Sequence, residues 1–121
     1  CLPVMKQHHA YSDLIFIGSE SARQGGKEGS VYCASKFGLR GFAQSLRPEC
    51  AKAGVRVNLI NPGAVRSAFF DELHFEPGPE AGHAILPADV AAIALAVVNL
   101  RAGTVLDEIN MSPLTKVWQS K

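Results

Sequence analysis

The chain has 121 residues, of which 47% are hydrophobic and 19% charged, a balance that is typical of one globular domain and excludes a disordered protein. Twelve Lys and Arg against eleven Asp and Glu give a net charge of +1, and the sequence has no basic cluster. No apolar stretch reaches the roughly eighteen residues that a membrane-spanning helix needs. We therefore expect neither nucleic acid nor a membrane as a partner.

The cysteines and the first residues indicate the compartment and the extent of the chain. Cys1, Cys33 and Cys50 form no C-x-x-C pair, and an odd number suits a reducing compartment, so we expect free thiols and a cytoplasmic protein. The opening stretch CLPVMKQHH has neither the form of a signal peptide nor a capped helix start. We interpret the chain as a piece of something longer.

The first predicted strand is DLIFIGS, residues 13–19, in which four apolar residues precede Gly-Ser. This pattern suits a short strand buried on both faces in a parallel sheet. A helix is predicted next, with Ser30 as its cap and Gly54 as its stop. Pro48 lies near the end of that helix, where we expect a kink or early termination. The apolar residues at helical spacing are Val31, Phe37, Leu39, Phe42, Ala43 and Leu46.

A second strand and a long connection follow. VRVNLI, residues 55–60, alternates in polarity and leads into Asn61-Pro62-Gly63, which predicts a strand ended by turn residues. Residues 64–86 contain prolines, glycines and several phenylalanines. We expect an irregular connection with one helical turn, of the kind that forms a lid or binding loop.

The last predicted elements are a helix and a strand. Pro87 at the first turn and Asp89 near the positive end favour a helix that stops near Gly103. Residues 104–111 are predicted as the last strand, and residues 112–121 as a tail. Strand, helix, strand, helix and strand in this order predict a right-handed parallel α/β sheet.

Ligands of such sheets lie beyond the carboxyl ends of the strands, where Ser19 and the Asn61-Pro62-Gly63 turn fall. Tyr32 and Lys36 are four residues apart on the predicted helix, so their polar ends can approach one ligand. A tyrosine with a pKa of about 10 is a poor acid or base at neutral pH, but a nearby ammonium favours the phenolate. The alternative is a half-exposed tyrosine beside a solvated lysine, since Tyr-x-x-x-Lys often arises by chance.

A joint pattern favours the catalytic interpretation. Ser19 precedes Tyr32 by 32 − 19 = 13 positions, residues 32–36 have the form Y-x-A-S-K, and Asn61-Pro62-Gly63-Ala64-Val65 follows one long helix later. These motifs resemble the second half of the short-chain dehydrogenase/reductase (SDR) family, NAD(P)-dependent oxidoreductases on a Rossmann sheet. The resemblance covers essentially the whole chain. It implies a partial Rossmann-like parallel sheet with flanking helices.

The resemblance also implies roles for individual residues. Tyr32 would be the general acid/base, Lys36 would favour its phenolate and hold the nicotinamide ribose, and Ser19 would orient the substrate carbonyl. The expected cofactor is NAD(P), with NADP slightly preferred, and the expected substrate is a small carbonyl compound or alcohol. The residues implied in cofactor binding are Tyr32, Lys36, Pro62, Gly63, Val65 and Ser67.

The chain departs from the family by what it does not contain. The T-G-x-x-x-G-x-G loop, the N-A-G motif and the catalytic asparagine are missing from the sequence. The glycine cluster at 25–29 fits neither G-x-G-x-x-G nor the Walker pattern, so we interpret it as a flexible turn bordering the site. We expect residues 1–121 to be the catalytic and substrate-binding half of a Rossmann-fold domain, without its cofactor-binding half.

A second hypothesis follows from the same absence. The chain could be a catalytically silent remnant that acts as an oligomerising module, because half a sheet leaves an open edge and apolar helix faces. Under either hypothesis we expect a homo-oligomer, and the resemblance to the family implies that helix 31–51 is its interface.

The remaining candidates are weaker. No metal site is expected, because the adjacent His8 and His9 have no third ligand nearby and are better explained as solvated. Histidines 74 and 83 are expected at the surface, with a substrate contact as the alternative. Arg66 either pairs with an anionic substrate or is solvated. The phenylalanines of the connection, with Leu73, either line an apolar pocket or pack the loop onto the core. Trp118 is expected to pack or to assist assembly. The apolar residues of the connection are Phe69, Phe70, Leu73 and Phe75.

Overall fold

The computed structural model describes residues 1–7 and 10–121, which form a three-stranded parallel sheet with helices packed against it and a separate two-stranded sheet. His8 and His9 lie outside the described residues. The strand order β1-β2-β4 confirms the predicted partial Rossmann-like α/β fold. In chain order the elements are α1 (Leu2–Gln7), β1 (Ser12–Ile17), α2 (Ser30–Ala51), β2 (Val55–Pro62), β3 (Phe75–Pro77), α3 (Pro87–Asn99), β4 (Glu108–Met111) and β5 (Trp118–Ser120).

Strand β2 is the centre of the parallel sheet, and all eight of its residues are buried. Strand β1 pairs with it from Ser12 opposite Val55 onward, and β4 pairs with it from Glu108 opposite Leu59 onward. Because all three strands are parallel, the carboxyl ends of β1 and β2 open at the same edge of the sheet. Ser19 and residues 61–63 therefore lie at or just beyond the ends of strands that open at the same edge of the sheet.

Helix α2 packs against one face of β2 and forms the main core there. Successive side chains of a strand point to opposite faces, so the odd-numbered residues of VRVNLI face this helix. Residues of α1 and β1 pack around the same cluster. The cluster consists of Ala43, Leu46, Cys50, Val55, Val57 and Leu59.

Arg56 occupies the opposite face of β2 and ties the sheet to the end of α3. Its guanidinium binds the carboxylate of Asp13 in β1, with Nη2–Oδ2 at 2.5 Å and Nε–Oδ1 at 2.8 Å. Its Nη1 donates to the carbonyl oxygens of Leu100, Arg101 and Thr104 at 3.1 to 3.2 Å. A buried arginine is tolerated here because a carboxylate and the carbonyls beyond a helix C-terminus surround it.

The predictions for α2 and for β1 need correction. The residue that caps α2 is Gly29, and Ser30 is already helical. The helix continues through Pro48 to Ala51, so the proline does not end it. Strand β1 is half-buried instead of buried on both faces, because within residues 1–7 and 10–121 it pairs with β2 alone.

The prediction that residues 112–121 form a tail was wrong, because this segment contains a paired strand. The last strand of the parallel sheet is limited to Glu108–Met111, and residues 118–120 form β5, which pairs antiparallel with β3 inside the long connection. The connection 64–86 contains two 3-10 turns, at 68–70 and 81–83, in addition to β3. The pattern of prolines and glycines had predicted one helical turn and no strand.

Two further features of the described chain concern its cysteines and its helices. All three cysteines are free thiols, with Cys33 and Cys50 buried and Cys1 exposed. Within the described residues, no helix has both the length and the apolar character to cross a membrane.

Candidate active site

Ser19 lies just beyond β1 and is buried, with 8% of its surface exposed. Its hydroxyl oxygen accepts a hydrogen bond of 3.1 Å from the backbone N–H of Ser21 and so caps the 3-10 turn at 20–22. A hydroxyl has one donor and two acceptor positions. This contact uses only an acceptor position, so the O–H can still donate to a carbonyl oxygen.

Helix α2 presents Tyr32 and Lys36 one turn apart. The ammonium nitrogen of Lys36 lies 5.6 Å from the centroid of the Tyr32 ring, so the two side chains share one face of the helix. Tyr32 is 39% exposed, whereas Lys36 is half-buried. The hydroxyl of Ser35 donates to the carbonyl oxygen of Tyr32 at 2.7 Å, within the same turn. A positive charge at this position interacts favourably with the ring and with a phenolate.

Three segments meet around this helix turn. The 3-10 turn that follows Ser19 packs against α2 and buries Ala22 completely. On the other side, the ring of Phe69 lies 6.1 Å from the ring of Tyr32. Gly63 lies so close to the first segment that a Cβ there would be 3.3 Å from the carboxylate of Glu20. The end of β1, the start of α2 and the segment after β2 therefore line one edge of the sheet.

The four residues that the resemblance assigns to the nicotinamide follow one another along this edge. Pro62 is the last residue of β2 and is buried. Gly63 is half-buried, and Val65 is fixed by a parallel bridge to Ile85. Ser67 is exposed, and its hydroxyl caps the 3-10 turn at 68–70. Exposure to solvent thus increases over these four residues, from the buried Pro62 to the exposed Ser67.

The donors on this edge fit the nicotinamide end of NAD(P) but not its diphosphate end. The Tyr32 hydroxyl, the Lys36 ammonium and the Ser67 hydroxyl are the kinds of group that bind ribose hydroxyls and a carboxamide. A diphosphate needs backbone N–H groups of a glycine-rich loop at a helix N-terminus. The cluster at 25–29 does not have that sequence, and a Cβ at Gly25 or Gly26 would meet open space, so these glycines enclose nothing.

A polar network lies at the end of β2, next to the candidate site. Its central residue, Asn61, was predicted only as part of a turn. Asn61 is fully buried at the end of β2, and its Nδ2 donates to Glu108 Oε1 at 2.8 Å and to Asn110 Oδ1 at 3.1 Å. Arg40 of α2 holds the same Glu108 oxygen at 2.8 Å. The network joins α2, β2 and β4. In the sequence, Asn61 directly continues the apolar run of the central strand, and this position could have indicated a buried, hydrogen-bonded asparagine.

The weaker candidates have structural contacts. Arg66 donates through Nη2 to the carbonyl oxygens of Gly78 at 2.6 Å and Glu80 at 3.3 Å, which brings the two ends of the connection together. His74 is exposed, as expected. The expectation for His83 was wrong: its side chain is only 12% exposed, because it packs against Gly78. In the described part of the chain, no group of His, Cys, Asp and Glu has a geometry that could hold a metal ion.

Known proteins resemble this chain in sequence and in fold. The sequence profile of the family described as short chain dehydrogenase matches residues 1–76. The chain is 30% identical over 110 residues to sepiapterin reductase of Chlorobaculum tepidum, which covers 91% of this chain and 43% of that protein. It is 42% identical over 81 residues to 17-beta-hydroxysteroid dehydrogenase type 1 of Mus musculus, which covers 64% of this chain and 22% of that protein.

A solved structure shows the same likeness in three dimensions. A short chain dehydrogenase from Escherichia coli CFT073, complexed with NADPH, superposes with a TM-score of 0.72 at 30% identity, over 90% of this chain and 44% of that chain. The chain thus spans less than half the length of each of these relatives. The family profile covers more than half of the chain. The chain therefore belongs to the short chain dehydrogenase family.

Proposed function

We propose that the chain supplies the catalytic half of an NAD(P)-dependent oxidoreductase that interconverts a carbonyl and an alcohol. The observation that carries the proposal is the position of the Lys36 ammonium 5.6 Å from the Tyr32 ring centroid, on a helix turn that is bordered by the buried Ser19 segment. NAD(P)H, when bound, supplies the hydride. The residues of this chain bind the carbonyl oxygen and move its proton.

In the direction of reduction, a C–H bond forms at the carbonyl carbon while the C=O π bond breaks. The electron pair of that bond passes to oxygen, which then takes the proton of the Tyr32 hydroxyl. Lys36 stabilises the phenolate that remains, because an opposite charge nearby favours the charged form. The O–H of Ser19 donates to the same oxygen and stabilises its developing negative charge. Oxidation of an alcohol is the reverse of these steps.

We propose that the nicotinamide end of the cofactor lies against Pro62, Gly63, Val65 and Ser67, with Lys36 at the ribose. The names of the relatives, a reductase and a hydroxysteroid dehydrogenase, support the redox class. NADPH in the structure that is 30% identical supports NADP as the form used. The diphosphate would be held by residues outside this chain. The buried free thiols Cys33 and Cys50 support a reducing, cytoplasmic location.

The proposal is tested by titrating NADH and NADPH into the purified chain while nicotinamide fluorescence is recorded. We expect saturable binding that the Tyr32→Phe variant retains, together with a loss of carbonyl reduction of about two orders of magnitude or more in that variant. The substitution removes one hydroxyl and keeps the ring beside Phe69. Retained reduction by Tyr32→Phe would refute Tyr32 as the proton donor.

A second function is favoured by the surface of α2. Val31 is 82% exposed, and Phe42 and Phe37, on the helix that was expected to form the interface, are 54% and 44% exposed. These side chains suit contact with a second copy of the chain, so a catalytically silent oligomerising module is the alternative. Sedimentation of the chain beside a Phe42→Asp variant tests it. Absence of cofactor binding together with a dimer that Phe42→Asp dissociates would favour the module.

A further inference from the structure

The segment 115–121 is attached along its length to the connection that follows β2. Strand β5 pairs antiparallel with β3, with Phe75 opposite Ser120 and Pro77 opposite Trp118. Backbone hydrogen bonds of 3.0 Å extend the pairing at both ends, from Gly78 N–H to Val117, from Lys121 N–H to His74, and from Thr115 N–H to Gly82. We call residues 115–121 the clamp and residues 66–83 the substrate loop.

Aromatic packing joins the clamp to the inside of the loop. The ring of Phe70 is buried, with 6% of the residue exposed, and its centroid lies 5.9 Å from Trp118 and 6.0 Å from Phe75. Phe75 and Trp118 meet edge to face at 5.4 Å. Such pairs contribute about 0.5–1.5 kcal/mol each beyond the burial of their area. Phe70 and Phe75 therefore serve packing, which was one of the two alternatives for them.

Phe69 differs from its neighbours because it faces the catalytic tyrosine. Its ring packs edge to face against Phe70 at 5.1 Å and lies 6.1 Å from Tyr32, yet the residue is 58% exposed. A continuous series of rings thus runs from Trp118 through Phe70 and Phe69 to Tyr32. The exposed part of Phe69 is an apolar surface next to the ring of Tyr32.

The clamp also contacts the opposite side of the site. The ammonium of Lys116 binds the Glu20 carboxylate at 2.6 Å, and Glu20 directly follows Ser19. The same ammonium lies 5.9 Å from the centroid of the Trp118 indole ring. One short segment therefore holds both the turn after Ser19 and the loop that carries Phe69.

We propose that the clamp fixes the substrate loop so that Phe69 forms one wall of the substrate site, and that this wall selects carbonyl compounds carrying a flat apolar ring. Trp118 is a positioning residue, since it acts on the substrate through Phe70 and Phe69. The proposal rests on the proposed function for the reaction itself. Its two structural parts, a fixed loop and a ring-binding wall, can be measured without turnover.

The first experiment measures amide hydrogen exchange in the chain and in the Trp118→Ala variant. We expect exchange at Gly78 and along β3 to accelerate by about tenfold or more, because loss of the ring pairs lowers the local opening free energy. Amides of β2 should be unaffected. Trp118→Phe keeps a ring and should restore most of the protection, while Leu95→Ala, at an exposed position of α3, serves as the control. Unchanged exchange in Trp118→Ala would refute the clamp.

The second experiment measures ring binding, for which the protein contains its own probe, since Trp118 is the only tryptophan. Acetophenone and butanone are titrated separately while Trp118 emission is followed. We expect saturable binding of acetophenone that is weakened about tenfold in Phe69→Ala, and little discrimination between the two ketones in that variant. Equal binding of acetophenone by the chain and by Phe69→Ala would refute the wall.

The kinetic readout separates this proposal from the proposed function. In an active preparation, Trp118→Ala should raise KM for acetophenone about tenfold and leave kcat and the KM for butanone within about twofold. Trp118→Phe should restore the KM for acetophenone. Turnover without this selectivity would overturn the proposal and leave the proposed function standing. The expected exchange and binding without any turnover would support the clamp and the wall and count against the proposed function.

Discussion

The contact between Gly18 and Asn61 predicts that the residue before Ser19 must remain small. A Cβ added at Gly18 would lie 2.3 Å from Asn61 Oδ1 and 3.1 Å from Leu59 Cδ1. Asn61 cannot easily rotate away, because it is fully buried and its Nδ2 is held by Glu108 and Asn110. Gly18→Ala should therefore displace the backbone that carries Ser19.

The size of the effect follows from two opposing terms. Overpacking of a filled core costs about 1–3 kcal/mol. The backbone of Gly18 does not lie in the left-handed region, so alanine can adopt this backbone conformation. Alanine also restricts the unfolded chain, which stabilises the folded state by about 0.4–1 kcal/mol. We expect Gly18→Ala to lower the free energy of unfolding by about 1.3 kcal/mol, the difference between the midpoints of these ranges (2 − 0.7).

Urea denaturation of a double-mutant cycle measures the contact. Asn61→Ala alone loses two hydrogen bonds, at roughly 1 kcal/mol each, but removes the oxygen that obstructs position 18. In that background Gly18→Ala should cost nearly nothing, so the coupling energy should be about 1 kcal/mol or more. A Gly18→Ala chain within about 0.5 kcal/mol of the parent would mean that Asn61 yields, and the reasoning would fail.

Three further predictions concern the free energy of unfolding, measured by urea or thermal denaturation. Asp13→Ala should lower it by about 3–5 kcal/mol, because Arg56 would remain buried without its carboxylate, whereas replacing both residues by apolar ones should recover much of the loss. Pro48→Ala should raise it, by up to about 3 kcal/mol, since alanine supplies the N–H that the interior of α2 lacks there; an unchanged or lower value would show that the helix already accommodates the proline. Leu59→Ala should lower it by about 2–5 kcal/mol, and a loss below about 1 kcal/mol would mean that α2 is not packed on β2 as described.

The sequence was sufficient for the parallel sheet because the signals of β2 and α3 are local. VRVNLI has an apolar residue at every position that faces α2, and Pro87 with Asp89 marks the start of α3, where the Asp89 carboxylate accepts the N–H of Leu86 at 2.8 Å. The spacing of Tyr32 and Lys36 also required only a helix. Their shared face followed from a single element.

The contacts that were missed join positions far apart in the chain. Strand β5 has three residues and no apolar periodicity of its own, and it exists because β3, more than forty residues earlier, presents a partner. The carbonyls that surround Arg56 come from the residues that follow α3. No sequence pattern near residue 56 indicates this contact. Val31, Phe37 and Phe42 share the helical spacing of the buried residues of α2, yet they are exposed. Periodicity shows which residues share a face, but not whether this chain supplies the surface that covers it.

The proposed carbonyl site and the binding of the cofactor diphosphate depend on different parts of the protein. The residues that we propose for proton transfer make their contacts within the described residues: Ser19 with its own 3-10 turn, and Tyr32 with one turn of α2 and the ring of Phe69. The diphosphate of a cofactor depends on backbone N–H groups that this sequence does not offer. If the clamp holds Phe69 beside Tyr32, the carbonyl compound should bind even where the cofactor binds weakly. Adding a nucleotide-binding half from a related dehydrogenase in trans should then raise the affinity for NADPH and leave the affinity for acetophenone nearly unchanged. A parallel rise in both affinities would show that the substrate wall is not formed by this chain alone.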